Sequence, residues 1–122
     1  MFILLIDDER EHAGVRVART YAAGIAALQE RQWDYLVLDH DFGDFSGPDG
    51  RELTGYDVAC WLEEHPEHLP KDIGIVSKNP EGRRKITLAL SKFYPDKHVW
   101  VPNPAVLNQL DNSISRSNIC RN

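Results

Sequence analysis

Tyr35-Leu36-Val37-Leu38-Asp39-His40-Asp41-Phe42-Gly43 is the stretch on which the fold turns. Its first four residues are apolar, partly β-branched and uninterrupted, as in a strand buried on both faces inside a parallel sheet. The run then breaks into Asp-His-Asp and a glycine. Charge therefore falls where open α/β sheets place their ligands, beyond the carboxyl ends of the strands. Phe2-Ile3-Leu4-Leu5-Ile6, followed by Asp7-Asp8-Glu9, repeats the pattern. One acid at a strand end caps a loop or meets water. Two matched strand ends point to one shared acidic site.

Working outward, Val15 to Ala18 alternates weakly and reads as a short strand, and Ala22 to Gln32 carries Ile25 and Leu28 at amphipathic helix spacing. Phe42 to Leu53 holds three glycines, a proline and several charges, so it reads as a loop over the sheet mouth. Thr54-Gly55-Tyr56-Asp57 has the spacing of a capping box, opening a helix that packs Val58, Trp61 and Leu62. His65 and His68 have a metal-like spacing, but between prolines they read as a solvated loop. Ile73 to Val76 is a further strand ending at Ser77. Asn79-Pro80 then starts a helix with a stripe of Ile86, Ala89, Leu90 and Phe93. Val99-Trp100-Val101 reads as a last strand, and Asn103-Pro104 opens a short helix to about Leu110.

This order predicts a single-domain, flavodoxin-like, doubly wound parallel sheet of about five strands, with strand order 2-1-3-4-5. The domain spans residues 1–111, and residues 112–122 form a polar, flexible tail. In that order Asp7, Asp8, Asp39, Asp41 and Ser77 meet at one rim. A chain of 122 residues buries a core without staples. Its net charge of −5 opposes duplex nucleic-acid binding, which needs a basic face. The cysteines, Cys60 and Cys120, lie in unlike contexts and suggest no disulfide or zinc framework. The start lacks the basic lead of a signal peptide, and no stretch is apolar enough for a membrane span. A soluble cytoplasmic protein is expected, with no membrane partner.

Paired acids after the first strand, Asp39 ending the central one and Ser77 ending the next resemble the receiver domain of response regulators. Two departures set the chain apart. Asp39 follows Asp8 by only 31 positions, too few for the usual intervening elements, so the usual first helix is missing. Asn103-Pro104 also stands where a receiver has Lys-Pro, which argues against a stabilised phosphoryl-aspartate.

The chain is more similar to a small receiver-like family, the cyclic-phosphate processing receiver domains. The resemblance rests on Ile6-Asp7-Asp8-Glu9-Arg10, Leu38-Asp39-His40-Asp41-Phe42-Gly43, Thr54-Gly55-Tyr56-Asp57-Val58 and Ser77-Lys78-Asn79-Pro80-Glu81-Gly82-Arg83. Val76 departs from it, standing where the family is expected to favour histidine. The resemblance implies phosphate chemistry on a small nucleotide or an RNA end with a cyclic phosphate. Members are often small stand-alone proteins, including phage-encoded ones.

Clustered carboxylates share protons or hold a cation, and a hard ion such as Mg²⁺ or Mn²⁺ suits them. Asp8 and Asp39 are expected as direct ligands, with Asp7 and Asp41 direct or through water. His40 points away from both neighbouring acids if strand geometry persists, buried against a helix. If the strand has ended, it turns to the site as general acid or base. Ser77, Asn79, Gly82 and Arg83 form a strand-loop-helix corner suited to phosphate. The plainer reading is that Asn79 only caps and Arg83 is a surface side chain. Asp39, His40 and Ser77 are the candidate catalytic residues. The expectation is metal-dependent hydrolysis or ring opening of a cyclic phosphate. The alternative is a non-catalytic module that binds a nucleotide or a host protein.

Overall fold

A computed structural model describes residues 1–9, 15–102 and 106 of the chain. Four parallel strands form one sheet: β1 (Ile3–Ile6), β2 (Arg16–Ala18), β3 (Tyr35–Leu38) and β4 (Asp72–Ile75). Their order is β2-β1-β3-β4, the first four places of the flavodoxin-like order. Helices α1 (Tyr21–Glu30), α2 (Gly55–Glu64) and α3 (Pro80–Leu90) follow β2, β3 and β4 respectively. The described residues between β1 and β2, 7–9 and 15, are not helical. The expected final helix from Asn103, the tail over residues 112–122 and Cys120 lie outside the described residues, Val106 excepted.

Period-two alternation splits the strands between two cores. Leu4, Ile6, Leu36, Leu38, Ile73 and Ile75 face the three helices, with Leu28, Val58, Leu62, Ile86 and Leu90 packed on them. Ile3, Leu5, Tyr35 and Val37 form a second cluster with Val15 and Val106. β1 and β3 are buried along their whole length, which is why neither shows a polar residue. Each fully buried Leu or Ile contributes on the order of 1.5–3 kcal/mol.

Helices α1, α2 and α3 each start at a side-chain cap. The Thr20 hydroxyl accepts from Ala23 N–H in α1, and Thr54 and Asp57 form the full capping box of α2. Asn79 accepts from Gly82 N–H in α3, with Pro80 in the first turn. Phe93 falls outside the expected helical stripe, in a short turn over Ser91–Phe93 that still packs on the core.

The expected fifth strand does not form. Val99–Val101 runs beside β4, but among the described residues one hydrogen bond links them, from Ile75 N–H to the Trp100 carbonyl (2.7 Å). Pro102 follows at once and has no N–H to extend a ladder. Trp100 instead packs edge-on against Tyr94, while Val99 and Val101 remain exposed. His65 and His68 also differ from the expected solvated loop. Both rings stack on Trp61, at centroid distances of 4.3 and 5.5 Å.

Candidate functional site

The parallel ladder carries the acids to one rim. Asp39 N–H donates to the Ile6 carbonyl (3.1 Å), so the residues after β1 and β3 leave the sheet side by side. Carboxylate oxygens of Asp7, Asp8 and Asp39 lie within 4.8 Å of one another, the spacing of a shared cation. Asp7 is buried, Asp39 half-buried and Asp8 exposed, so the group opens to solvent on one side. Asp7 is fixed from three directions. Its Oδ1 accepts from Glu9 N–H (2.9 Å), its N–H donates to the Ala18 carbonyl (3.1 Å), and its carbonyl accepts from Arg19 (3.2 Å). Gly43 takes a left-handed φ of 67° in the turn after β3, where a Cβ would come 3.4 Å from the Asp8 carboxylate. Glycine lets the loop pass beside Asp8 without strain.

Asp41 stands apart from the three-acid group. Its Oδ1 meets His40 Nδ1 at 2.8 Å and its Oδ2 accepts from Asn79 Nδ2 at 3.4 Å. The Asn79 Oδ1 in turn accepts from Gly82 N–H (3.0 Å), and the His40 ring lies against Gly82. A Cβ on Gly82 would sit 2.4 Å from the His40 ring, so this glycine is explained by packing. His40 itself is 9% exposed. The ring is buried against a helix, as one of the two expected geometries has it, but it does not point away from both neighbouring acids, because Asp41 engages its Nδ1. Residues 40, 41, 79 and 82 thus close a ring that ties the end of β3 to the start of α3.

The cleft beside the acids has a volume of about 210 Å³ and is lined by Glu9, Asp39, Asp41, Val76, Ser77 and Lys78. Ser77 is buried, and its Oγ accepts from Asn79 N–H (3.0 Å). Arg83, expected among the phosphate contacts, lines a different cavity of about 360 Å³ with Ile75, Trp100 and Val101. That cavity is the larger, but it holds none of the clustered acids. The corner therefore divides, with Ser77 lining the cleft, Asn79 bonded to Asp41 on its wall, and Arg83 in the other cavity. Glu9 and Lys78 line the cleft without having been singled out in the sequence. Their signals were a third consecutive acid after the first strand and a cation between strand end and cap.

The long loop over the rim is anchored by Asp44. Its carboxylate accepts from Ser46 N–H (3.0 Å), the Ser46 hydroxyl (2.6 Å) and Tyr21 N–H (2.9 Å) at the start of α1. The Ser46 hydroxyl foremost, then the Tyr21 N–H, hold the Asp44 carboxyl below its ordinary pKa.

The family model described as "Cyclic-phosphate processing Receiver domain" matches residues 2–92, a span that includes every acid of the cleft, Ser77 and α3. No curated protein and no solved structure matches the chain.

Proposed function

The chain belongs to the family of cyclic-phosphate processing receiver domains, and from that premise we propose that it processes a cyclic phosphate with the help of a divalent cation. The substrate is a nucleotide or an RNA end carrying such a ring. The observation that carries the reading is the convergence of Asp7, Asp8 and Asp39 within 4.8 Å beside a cleft lined by Ser77. These donors are all hard oxygens, which fits Mg²⁺ or Mn²⁺ rather than a softer metal. Bound there, such an ion supplies Lewis-acid charge neutralisation and an acidified water. Asp7 and Asp39 are preorganised by the sheet, so the ligand set needs little rearrangement. Asp41 acts beside the metal set, orienting Asn79 and His40. The Ser77 hydroxyl, within the cleft, is placed to donate a hydrogen bond to a phosphoryl oxygen.

One observation favours the second reading, a binding module without turnover. His40 is buried and its Nδ1 is engaged by Asp41, so the ring is poorly placed to protonate a leaving oxygen in the cleft. The experiment is a panel of 2′,3′-cyclic and 3′,5′-cyclic nucleotides and 2′,3′-cyclic RNA ends, incubated with Mg²⁺ or Mn²⁺ and resolved by chromatography. The expected outcome is metal-dependent opening of one member, lost in Asp39→Asn. Tight binding without product would leave the module reading in its place.

A further inference from the structure

We infer that Lys78 is the side chain that grips the substrate's phosphate, an inference that rests on the cation site proposed above and adds a residue to it. The starting point is charge. Three carboxylates around a divalent ion leave the site negative, and Glu9 and Asp41 on the cleft wall make it more so. A cyclic phosphate diester brings a further negative charge. Like charges at contact distance repel by kilocalories in a partly desolvated cleft, so a phosphate ligand needs a basic group there.

The described residues offer few. Arg83 lines the cavity beside Trp100, and Arg84 is paired with Glu81. Arg19 reaches the Asp7 carbonyl from the end of β2 and does not line the cleft. Lys78 does line it, beside Ser77, and it is exposed. No carboxylate among the described residues forms an ion pair with it, although Asp41 and Glu9 share its cleft. Its backbone is fixed between the end of β4 and the Asn79 cap, where the Ser77 Oγ holds the Asn79 N–H. A lysine binds phosphate as a mobile point charge, which suits a ligand whose ring must also meet the metal. Lys78 thus contacts a non-bridging phosphoryl oxygen from the β4 side of the cleft.

The test is calorimetric titration of the full chain with 2′,3′-cyclic AMP, in the presence and absence of Mg²⁺, alongside titration with Mg²⁺ alone. Lys78→Ala should weaken nucleotide binding on the order of tenfold or more, as loss of one charge-assisted contact does. Lys78→Arg should keep affinity near wild type, and both variants should bind Mg²⁺ at least as tightly as wild type. Equal nucleotide affinity in Lys78→Ala and wild type overturns the inference and leaves the cation site standing. Mg²⁺ binding with no nucleotide binding overturns it likewise. If Mg²⁺ does not bind, the reading of the site as metal-dependent fails. Nucleotide affinity that still depends on Lys78 would then uphold the lysine contact alone, and its absence would overturn both.

Discussion

At the scale of single residues, the motif around Asp39 divides its labour. Asp39 joins Asp7 and Asp8 in the three-acid group, while His40 and Asp41 brace the corner where α3 begins. Gly82 belongs to that brace because the His40 ring occupies the space of its missing side chain. Gly82→Ala is therefore expected to destabilise the fold by about 1–3 kcal/mol, the cost of overpacking a site that cannot collapse. Urea denaturation checks it, and the double variant His40→Ala/Gly82→Ala should lose less than the sum of its parts, since the clash disappears with the ring. A neutral Gly82→Ala would show that His40 does not hold the position ascribed to it. Asn79 illustrates why a plain reading and a functional one need not compete. Its Oδ1 caps α3 while its Nδ2 reaches Asp41 across the cleft corner.

At the scale of elements, the loop between β3 and α2 is a braced cover rather than a free strap. Leu53 pairs back on Asp44 in an isolated antiparallel bridge, and the Asp44 carboxylate pins both Ser46 and the first turn of α1. Because the folded state holds this carboxyl below its ordinary value of 3.8, the unfolded chain binds more protons as the pH falls through that range. The stabilisation is present above the unfolded pKa and is lost as pH falls through the depressed folded one. Asp44→Asn should accordingly be less stable than wild type at neutral pH. The gap should close below pH 3.8 in denaturation curves measured across the acid limb. A gap unchanged into strong acid would mean that the three hydrogen bonds do not depend on the charge.

At the scale of the molecule, helices α1, α2 and α3 pack on one face of the sheet, and Ile3, Leu5, Tyr35 and Val37 form a second buried cluster on the other. The acids sit at the carboxyl rim between these layers, so a ligand there contacts the ends of β1 and β3 together. A cation that binds this arrangement has no equivalent site in the unfolded chain and must stabilise the fold. At a hundredfold excess over its dissociation constant the gain is about 2.7 kcal/mol. Mg²⁺ or Mn²⁺ is expected to raise the melting temperature by several degrees, and Asp39→Asn to abolish most of the rise. An equal rise in the variant, or none in wild type, would remove the three-acid site.

The sheet and its rim were legible because they follow from local chemistry. Uninterrupted apolar runs have to be buried on both faces, the caps at Thr54 and Asn79 are short-range, and the order of elements restricts a parallel sheet to few topologies. The acids after two such runs had to converge once those runs were neighbours. Tertiary structure alone decided the rest. Val99–Val101 has the composition of a strand, yet pairing needs successive donors and Pro102 ends them. His65 and His68 have the composition of a solvated turn, yet Trp61 lies beneath both rings. Arg83 and Lys78 stand five residues apart on one corner and face different cavities. Sequence spacing states which residues are near the corner. The direction of a side chain at a strand-to-helix turn depends on backbone angles and on what packs beside it.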